Sequence, residues 1–458
     1  MDRKYLRRRC AMMVGGIALA AIAAPSFAQN APRAENIARM DQIAKAYTDN
    51  KQFMGSVLVA RDGRVLIDKG YGYADLEWNI PNDPDTVFRL GSVTKQFTAA
   101  AILLLEERGK LRTSDLVSAY LPDAPAAWAK ITIFNLLTHT SGIPNYTELP
   151  DLPTFKLLPT TPAQLVARFE AKPLAFQPGE KWAYSNSNYA LLGLLIEKVS
   201  GQTYADFLQQ NIFTPLKMSH SGYDSSAAII PHRASGYGMG PKGPQNAGYV
   251  DMTVPYAAGA LYSSTRDLRL WEEALYGGRL LSAASLKKMT TPFLNNYAMG
   301  LAVGQSGGHA FFSHSGGIDG FNTYLAYYPD EKMTVVVLGN LNGDAPDMIG
   351  GQLAAVAHGE AVVLPSERPE IAVDPHILAT YVGNYELAPN FVLTVTLEGG
   401  QLMTQATGQS KIPIFAESPT RFFPKVVDAE IEFTKDKNGA VKGLILHQGG
   451  RDMPAPRK

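Results

Sequence analysis

Between residues 55 and 360 the chain alternates apolar and polar positions at both ends and follows a helical period in the middle. Residues 55–60 read as a strand, Asp62-Gly63 as a tight turn and residues 65–68 as the returning partner. Residues 92–108 read as a helix rich in Ala and Leu, stopped by Gly109. A second helix opens at Thr161-Pro162-Ala163 and runs to about residue 170; a third covers residues 191–199 and ends at Ser200-Gly201. Ser263, Ser264 or Thr265 caps a fourth, which continues towards residue 274 with Asp267 in its first turn.

The pattern changes after Tyr297. Residues 297–304, 309–314, 321–328 and 332–339 read as consecutive antiparallel strands, and residues 345–357 as a helix packed on them. Strands, then helices, then strands and a helix imply an α+β fold. Its sandwich would hold an antiparallel sheet built from both ends of the domain, beside an all-helical subdomain. Residues 358–376 carry Pro365, Pro369 and Pro375 and read as a linker, set at 361–375, after a first domain at 35–360. In residues 376–458, 391–397 turns at Glu398-Gly399-Gly400 into 401–405, and 429–433 pairs with 441–446 around a turn at 436–439. That spacing predicts a small all-β barrel or sandwich.

Of 458 residues, 46% are hydrophobic and 18% charged, an ordinary globular balance that allows a deep, water-poor site. Residues 1–28 stand apart as an expected signal peptide. Arg3, Lys4, Arg7, Arg8 and Arg9 form a positive start, residues 12–24 are apolar and small, and Ser26-Phe27-Ala28 suits cleavage after Ala28. The expected location is periplasmic or secreted, with no integral membrane span after cleavage. Cys10, the single cysteine, lies in that segment, so the mature chain would hold neither disulfides nor a Cys-ligated metal. Cleavage removes five basic residues and one acidic residue from a balance of 42 against 42, leaving a net charge of −4. No basic stretch points to nucleic acid. The eight histidines include no i, i+4 pair, and no P-loop or dinucleotide fingerprint appears in context, so no metal or cofactor is expected.

Ser92-Val93-Thr94-Lys95 places a hydroxyl and an amine on one helix face. Burial lowers the pKa of a Lys, so the amine can take the Ser proton and make the hydroxyl a nucleophile. The four-letter pattern arises by chance about once in a chain of this length. It recurs here at Ser285 and Lys288, on a Lys-rich segment that reads as a surface helix. Ser92 differs in its approach: Phe88-Arg89-Leu90-Gly91 is extended, apolar, and turns into the helix. Tyr184-Ser185-Asn186 follows a turn-rich loop, and a phenol and a carboxamide there can point into one cleft. His314-Ser315-Gly316-Gly317 lies near the end of a strand, where glycines admit a substrate backbone and expose a main-chain N–H to an oxyanion. Gly304-Gln305-Ser306-Gly307-Gly308 fits a nucleophile elbow in letters only, because the residues after it alternate as a strand and not a helix.

In this order, Ser92-Val93-Thr94-Lys95, Tyr184-Ser185-Asn186 and His314-Ser315-Gly316 resemble the three motifs of class C β-lactamases, serine D,D-peptidases and related esterases. Residues 136–144, which include His139-Thr140-Ser141-Gly142, are similar to a further family signature. The resemblance spans roughly residues 35–360. It implies a β-lactamase/transpeptidase-like fold with the cleft between the α/β part and the helical part. It also implies an acyl-enzyme on Ser92, with Lys95 and Tyr184 moving protons and Asn186 orienting Lys95 and the substrate. The N–H groups of Ser92 and Gly317 would form the oxyanion hole. Dedicated class C β-lactamases carry Lys where this chain has His314, which favours a D,D-peptidase, D-aminopeptidase or carboxylesterase. The alternative is a weak β-lactamase or a penicillin-binding receptor that acylates without efficient turnover. The expected partner is a small-molecule or peptide substrate. Tyr381-Val382-Gly383-Asn384-Tyr385 resembles the start of lipocalin-like barrels appended to some members.

Overall fold

The structure, a computed structural model, describes residues 34–240, 242–409, 411–427, 429–448 and 451–458. The expected signal peptide and Cys10 lie outside the described residues.

Six antiparallel strands form the central sheet, in the order Ala302–Ser306, His309–Ile318, Phe321–Tyr328, Met333–Gly339, Gly55–Arg61, Arg64–Tyr71. The early hairpin thus joins the late strands, with Gly55 opposite Gly339 and Arg61 opposite Met333. Met333–Gly339 is buried throughout, and its side chains alternate between two cores. Val335 and Val337 pack with Met40, Ile43, Ile349 and Leu353 from the helices Ala34–Asp49 and Ala345–His358. Val336 and Leu338 pack into the larger core, which holds the helices Thr94–Glu107, Asn186–Ser200 and Thr265–Tyr276. Phe97 and Trp271 stack there at a centroid distance of 3.9 Å. Ser264 is the cap of the last of these helices, accepting from the N–H of Asp267.

Several boundaries differ from the sequence expectation: the helix expected over residues 191–199 already starts at Asn186, the one expected to reach about residue 170 ends at Ala167, and two strand ends shift near the cleft. The strand expected from residue 297 begins only at Ala302. The preceding segment bends, with the Ala298 N–H donating to Leu301 and Gly300 at φ +75°. The strand expected to stop at 314 runs on to Ile318. Gly316 and Gly317 are thus strand residues, and at Gly316 the missing side chain lets the backbone of Leu90 approach.

Residues 361–375 include a short 3-10 turn, Pro365–Glu367, which Arg39 of the first helix grips through Glu367 and the carbonyl of Val362. Beyond it, a four-stranded and a five-stranded antiparallel sheet follow in chain order, joined at one seam by a bridge between Tyr385 and Arg457. Tyr381, Tyr385, Phe422 and Phe433 fill the space between them, with Tyr381 stacked on Phe433 at 4.1 Å.

Candidate active site

Ser92 is delivered by a short strand and a sharp turn. Phe88–Arg89 pairs with Leu261–Ser263, which also pairs with Gly222–Tyr223. Asp224, with no side-chain exposure, fixes this ribbon by accepting from Arg89 at 2.6 Å and Arg233 at 2.7 Å. The chain then turns at Gly91, φ +52°, a left-handed conformation that suits glycine. The expected helix does not begin as an α-helix: Gly91–Val93 is a 3-10 turn and Thr94–Glu107 is the α-helix. Three residues per turn align positions i and i+3 closely. Lys95 Nζ accordingly lies 3.0 Å from Ser92 Oγ.

Lys95 is wholly buried, and its amine donates to Asn186 Oδ1 at 2.8 Å and to the carbonyl of Ala258 at 2.8 Å. All its hydrogen-bond partners are uncharged, and burial holds its pKa well below the ordinary lysine value. The Tyr184 hydroxyl donates to Ser92 Oγ at 2.7 Å, and burial pushes the phenol up. Asn186 is aimed by two contacts. Its N–H donates to Asn145 Oδ1 at 3.0 Å and its Nδ2 donates to Thr147 Oγ1 at 3.1 Å, which leaves Oδ1 for Lys95. His139 backs Tyr184, ring to ring at 4.4 Å, and its Nδ1 accepts the Ser185 N–H at 3.2 Å.

The strand His309–Ile318 closes the other side. His314 Nδ1 lies 2.6 Å from the Ser315 carbonyl, which can only accept, so Nδ1 carries the proton. Nε2 then accepts from the Tyr297 hydroxyl at 3.0 Å. Burial and the neighbouring Lys95 hold the His314 pKa down at about 3, so the ring is neutral and both nitrogens are engaged within the protein. The next side chain falls on the opposite face: the Ser315 hydroxyl donates to Asp347, on the helix covering the far side of the sheet. Any part of Ser315 in the cleft therefore falls to its main chain. Gly316 sits against Leu90, and a β-carbon there would lie 2.0 Å from the Leu90 carbonyl oxygen. Gly317 lies beside Gly91: a β-carbon on Gly91 would lie 2.8 Å from the Gly317 amide nitrogen, whereas one on Gly317 would meet only Asn322 Nδ2, at 3.4 Å.

Ser92, Lys95, Tyr184 and Asn186 thus form one hydrogen-bonded cluster, flanked by His314, Gly316 and Gly317. Sequence reasoning missed Ala258, Asn145 and Thr147. The first acts through a carbonyl that every residue carries; the other two sit in a short polar run, Asn145-Tyr146-Thr147, with no motif spacing. Ser285 and Lys288 do not form a second such pair. Lys288 donates to both carboxylate oxygens of Glu106, at 2.8 Å each, and Ser285 lies in the first turn of a surface helix capped by Ser282. Ser306 ends a hairpin strand, as its sequence context predicts.

The fold also gathers His309, Glu331 and His358, with ligand atoms within 4.8 Å of one another, which sequence spacing did not show. The two imidazoles stack face to face, centroids 3.7 Å apart and planes within 9°. In that arrangement their lone pairs lie in nearly parallel planes and do not converge on one ion, and Arg61 already donates to Glu331.

With this geometry in place, comparison with known proteins gives a class. The family model described as Beta-lactamase matches residues 40–359, and one described as a domain of unknown function (DUF3471) matches residues 367–455. The chain belongs to the β-lactamase family, whose serine acyl-transferases and hydrolases share the penicillin-binding-protein fold. It is 33% identical to Penicillin-binding protein 4* of Bacillus subtilis over 89% of this chain and 96% of that protein. The structure of an octameric penicillin-binding protein homologue from Pyrococcus abyssi superposes with a TM-score of 0.67 at 27% identity, covering 92% of this chain and 99% of that one. A D-stereospecific amidohydrolase from Streptomyces sp. superposes with a TM-score of 0.58 at 28% identity, covering 70% and 98%. Among the described residues no helix is long and apolar enough to cross a membrane.

Proposed function

We propose that the chain is an exported serine hydrolase that cleaves an ester or amide of a small molecule or peptide through an acyl-enzyme on Ser92. The observation that carries the reading is the contact of one hydroxyl, Ser92 Oγ, with a fully buried amine at 3.0 Å and a phenol at 2.7 Å. A neutral lysine has two hydrogens and one lone pair. Two acceptor oxygens, on Asn186 and Ala258, take the hydrogens, so the lone pair is left for the Ser92 proton. Ser92 Oγ then attacks the carbonyl carbon, and the developing oxyanion is held by the N–H groups of Ser92 and Gly317. Loss of one such donor typically costs about 100- to 1000-fold in rate. Tyr184 passes a proton to the leaving group, and water, deprotonated by the same pair, releases the acyl group and restores Ser92.

The neutral His314 argues for substrates that need no fixed cation at that position. The D-stereospecific amidohydrolase relative supports D-configured amides among the candidates, and the penicillin-binding relative supports penicillins as a further ligand of the cleft. In this reading residues 1–28 direct export, residues 35–360 hold the cleft, and residues 376–458 form an appended β domain whose packed interior leaves catalysis to the first unit. A panel of p-nitrophenyl esters, D-amino acid anilides, a D-Ala-D-Ala peptide and a chromogenic cephalosporin tests it. Turnover of at least one ester or amide that disappears in Ser92→Ala is expected. A β-lactam adduct persisting for hours, with no turnover of any other member, would favour the acylating receptor instead.

A further inference from the structure

The Ala258 carbonyl that fixes Lys95 is itself held in place by a strained tyrosine. Residues Tyr256–Gly259 form a short helical turn laid across the start of the Ser92 helix. Three contacts bind this turn and the strand that follows it to the helix. Thr94 Oγ1 accepts the Leu261 N–H at 3.2 Å, Thr98 Oγ1 donates to the Ala257 carbonyl at 2.7 Å, and Lys95 Nζ donates to the Ala258 carbonyl at 2.8 Å. Tyr256 opens this turn at φ +42°, a conformation that bulky residues avoid and that persists only when its surroundings enforce it.

The enforcing group is Glu197. The Tyr256 hydroxyl donates to Glu197 Oε1 at 2.7 Å, and the Tyr204 N–H donates to the same oxygen at 3.0 Å. Gly193, one turn earlier, admits the tyrosine: a β-carbon there would lie 2.5 Å from both Ala257 Cβ and Tyr256 Cε1. Glu197 and Asn186 belong to one helix, Asn186–Ser200. A single rigid element therefore supplies one acceptor for Lys95 directly and secures the other through Tyr256.

We infer that Glu197 and Tyr256 are positioning residues for Lys95: the carboxylate locks the strained tyrosine, and the tyrosine holds the Ala258 carbonyl where it takes one hydrogen of the amine. The inference rests on the reading of Lys95 as the base for Ser92. Without the lock, the 256–259 turn relaxes, the carbonyl withdraws, and water reaches an amine that burial had kept dry. Tyr204 and Tyr223 are the other titratable groups packed on Tyr256; Tyr184, Tyr189, His139 and His314 face Lys95.

The test uses the full chain, a p-nitrophenyl ester, and a serine-directed phosphonate that counts working Ser92. Tyr256→Phe and Glu197→Ala are expected to lower kcat per labelled site by about 10- to 100-fold with KM nearly unchanged, the size expected when a reacting group is misplaced. The acid limb of kcat/KM should move to higher pH as Lys95 regains hydration. Glu197→Gln keeps the acceptor oxygen and should retain most of kcat. Tyr256→Phe removes a single oxygen, so it keeps the test alive if Glu197→Ala fails to fold. Labelling confined to Ser92 with kcat and the acid limb unchanged in Tyr256→Phe, even at lower thermal stability, would overturn the inference alone. Labelling that survives Ser92→Ala would overturn the reading and the inference together.

Discussion

Gly91 and Gly317 touch backbone to backbone: a β-carbon on Gly91 would lie 2.8 Å from the amide nitrogen of Gly317. This contact packs the turn that leads into Ser92 against the strand that carries Gly317, two segments more than two hundred residues apart in sequence whose main-chain N–H groups are assigned to the oxyanion. Gly91→Ala meets both the clash and φ +52°. It should cost about 1–3 kcal/mol in backbone strain and about 100-fold or more in phosphonate labelling rate. The labelling rate, read beside the unfolding midpoint, checks it; unaltered labelling would show that the two glycines are not needed together.

Asn145 holds the backbone N–H of Asn186 at 3.0 Å and accepts from the Thr147 hydroxyl at 2.9 Å. Asn145→Ala frees both groups that aim the Asn186 carboxamide. A fall in kcat of about 10- to 100-fold, with KM little changed, is the expected outcome of steady-state kinetics.

Asp224 is a buried carboxylate shared by Arg89 and Arg233. Removing it leaves two guanidinium groups unpaired beside the strand that delivers Ser92. Breaking a buried pair from one side costs about 3–5 kcal/mol. Asp224→Ala should lower the thermal midpoint sharply, and scanning calorimetry measures it.

Neutral buried histidines make stability depend on acid. The folded-state pKa of His314 is depressed to about 3, from an ordinary value of 6.5. As pH falls below 6.5 the unfolded chain takes up a proton that the folded chain refuses until near 3, so stability falls across that window. The slope approaches about 1.4 kcal/mol per pH unit for each such group. His139 is shifted in the same direction by burial. Urea unfolding between pH 6.5 and 4 should show a shallower loss in His314→Gln than in the parent; equal slopes would mean that His314 is protonated in the fold.

Much of this was legible beforehand because it lies in local chemistry. The Asp62-Gly63 hairpin, the Ala- and Leu-rich helix after Ser92, and the alternating strands after Tyr297 each follow from period and turn residues. The mixed α/β fold with its antiparallel sheet follows from their order. What stayed hidden depends on tertiary approach. Gly316 and Gly317 read as glycines that admit a substrate backbone near a strand end, and a sequence does not show that the chain's own Leu90 presses against Gly316. Ser315 read as part of the cleft, but strand alternation turns its side chain to Asp347. Ala258 contributes a carbonyl, and Glu197 and Tyr256 act through it, so no side-chain pattern could mark them.

The central claim is that Ser92 is the one nucleophile, activated by a dry amine and a phenol. Mass spectrometry of the chain treated with a serine-directed phosphonate measures this most directly. The account predicts a single adduct on the peptide containing Ser92, absent in Ser92→Ala and intact in Ser285→Ala and Ser306→Ala. An adduct on Ser285 or Ser306, or labelling undiminished in Ser92→Ala, would contradict it.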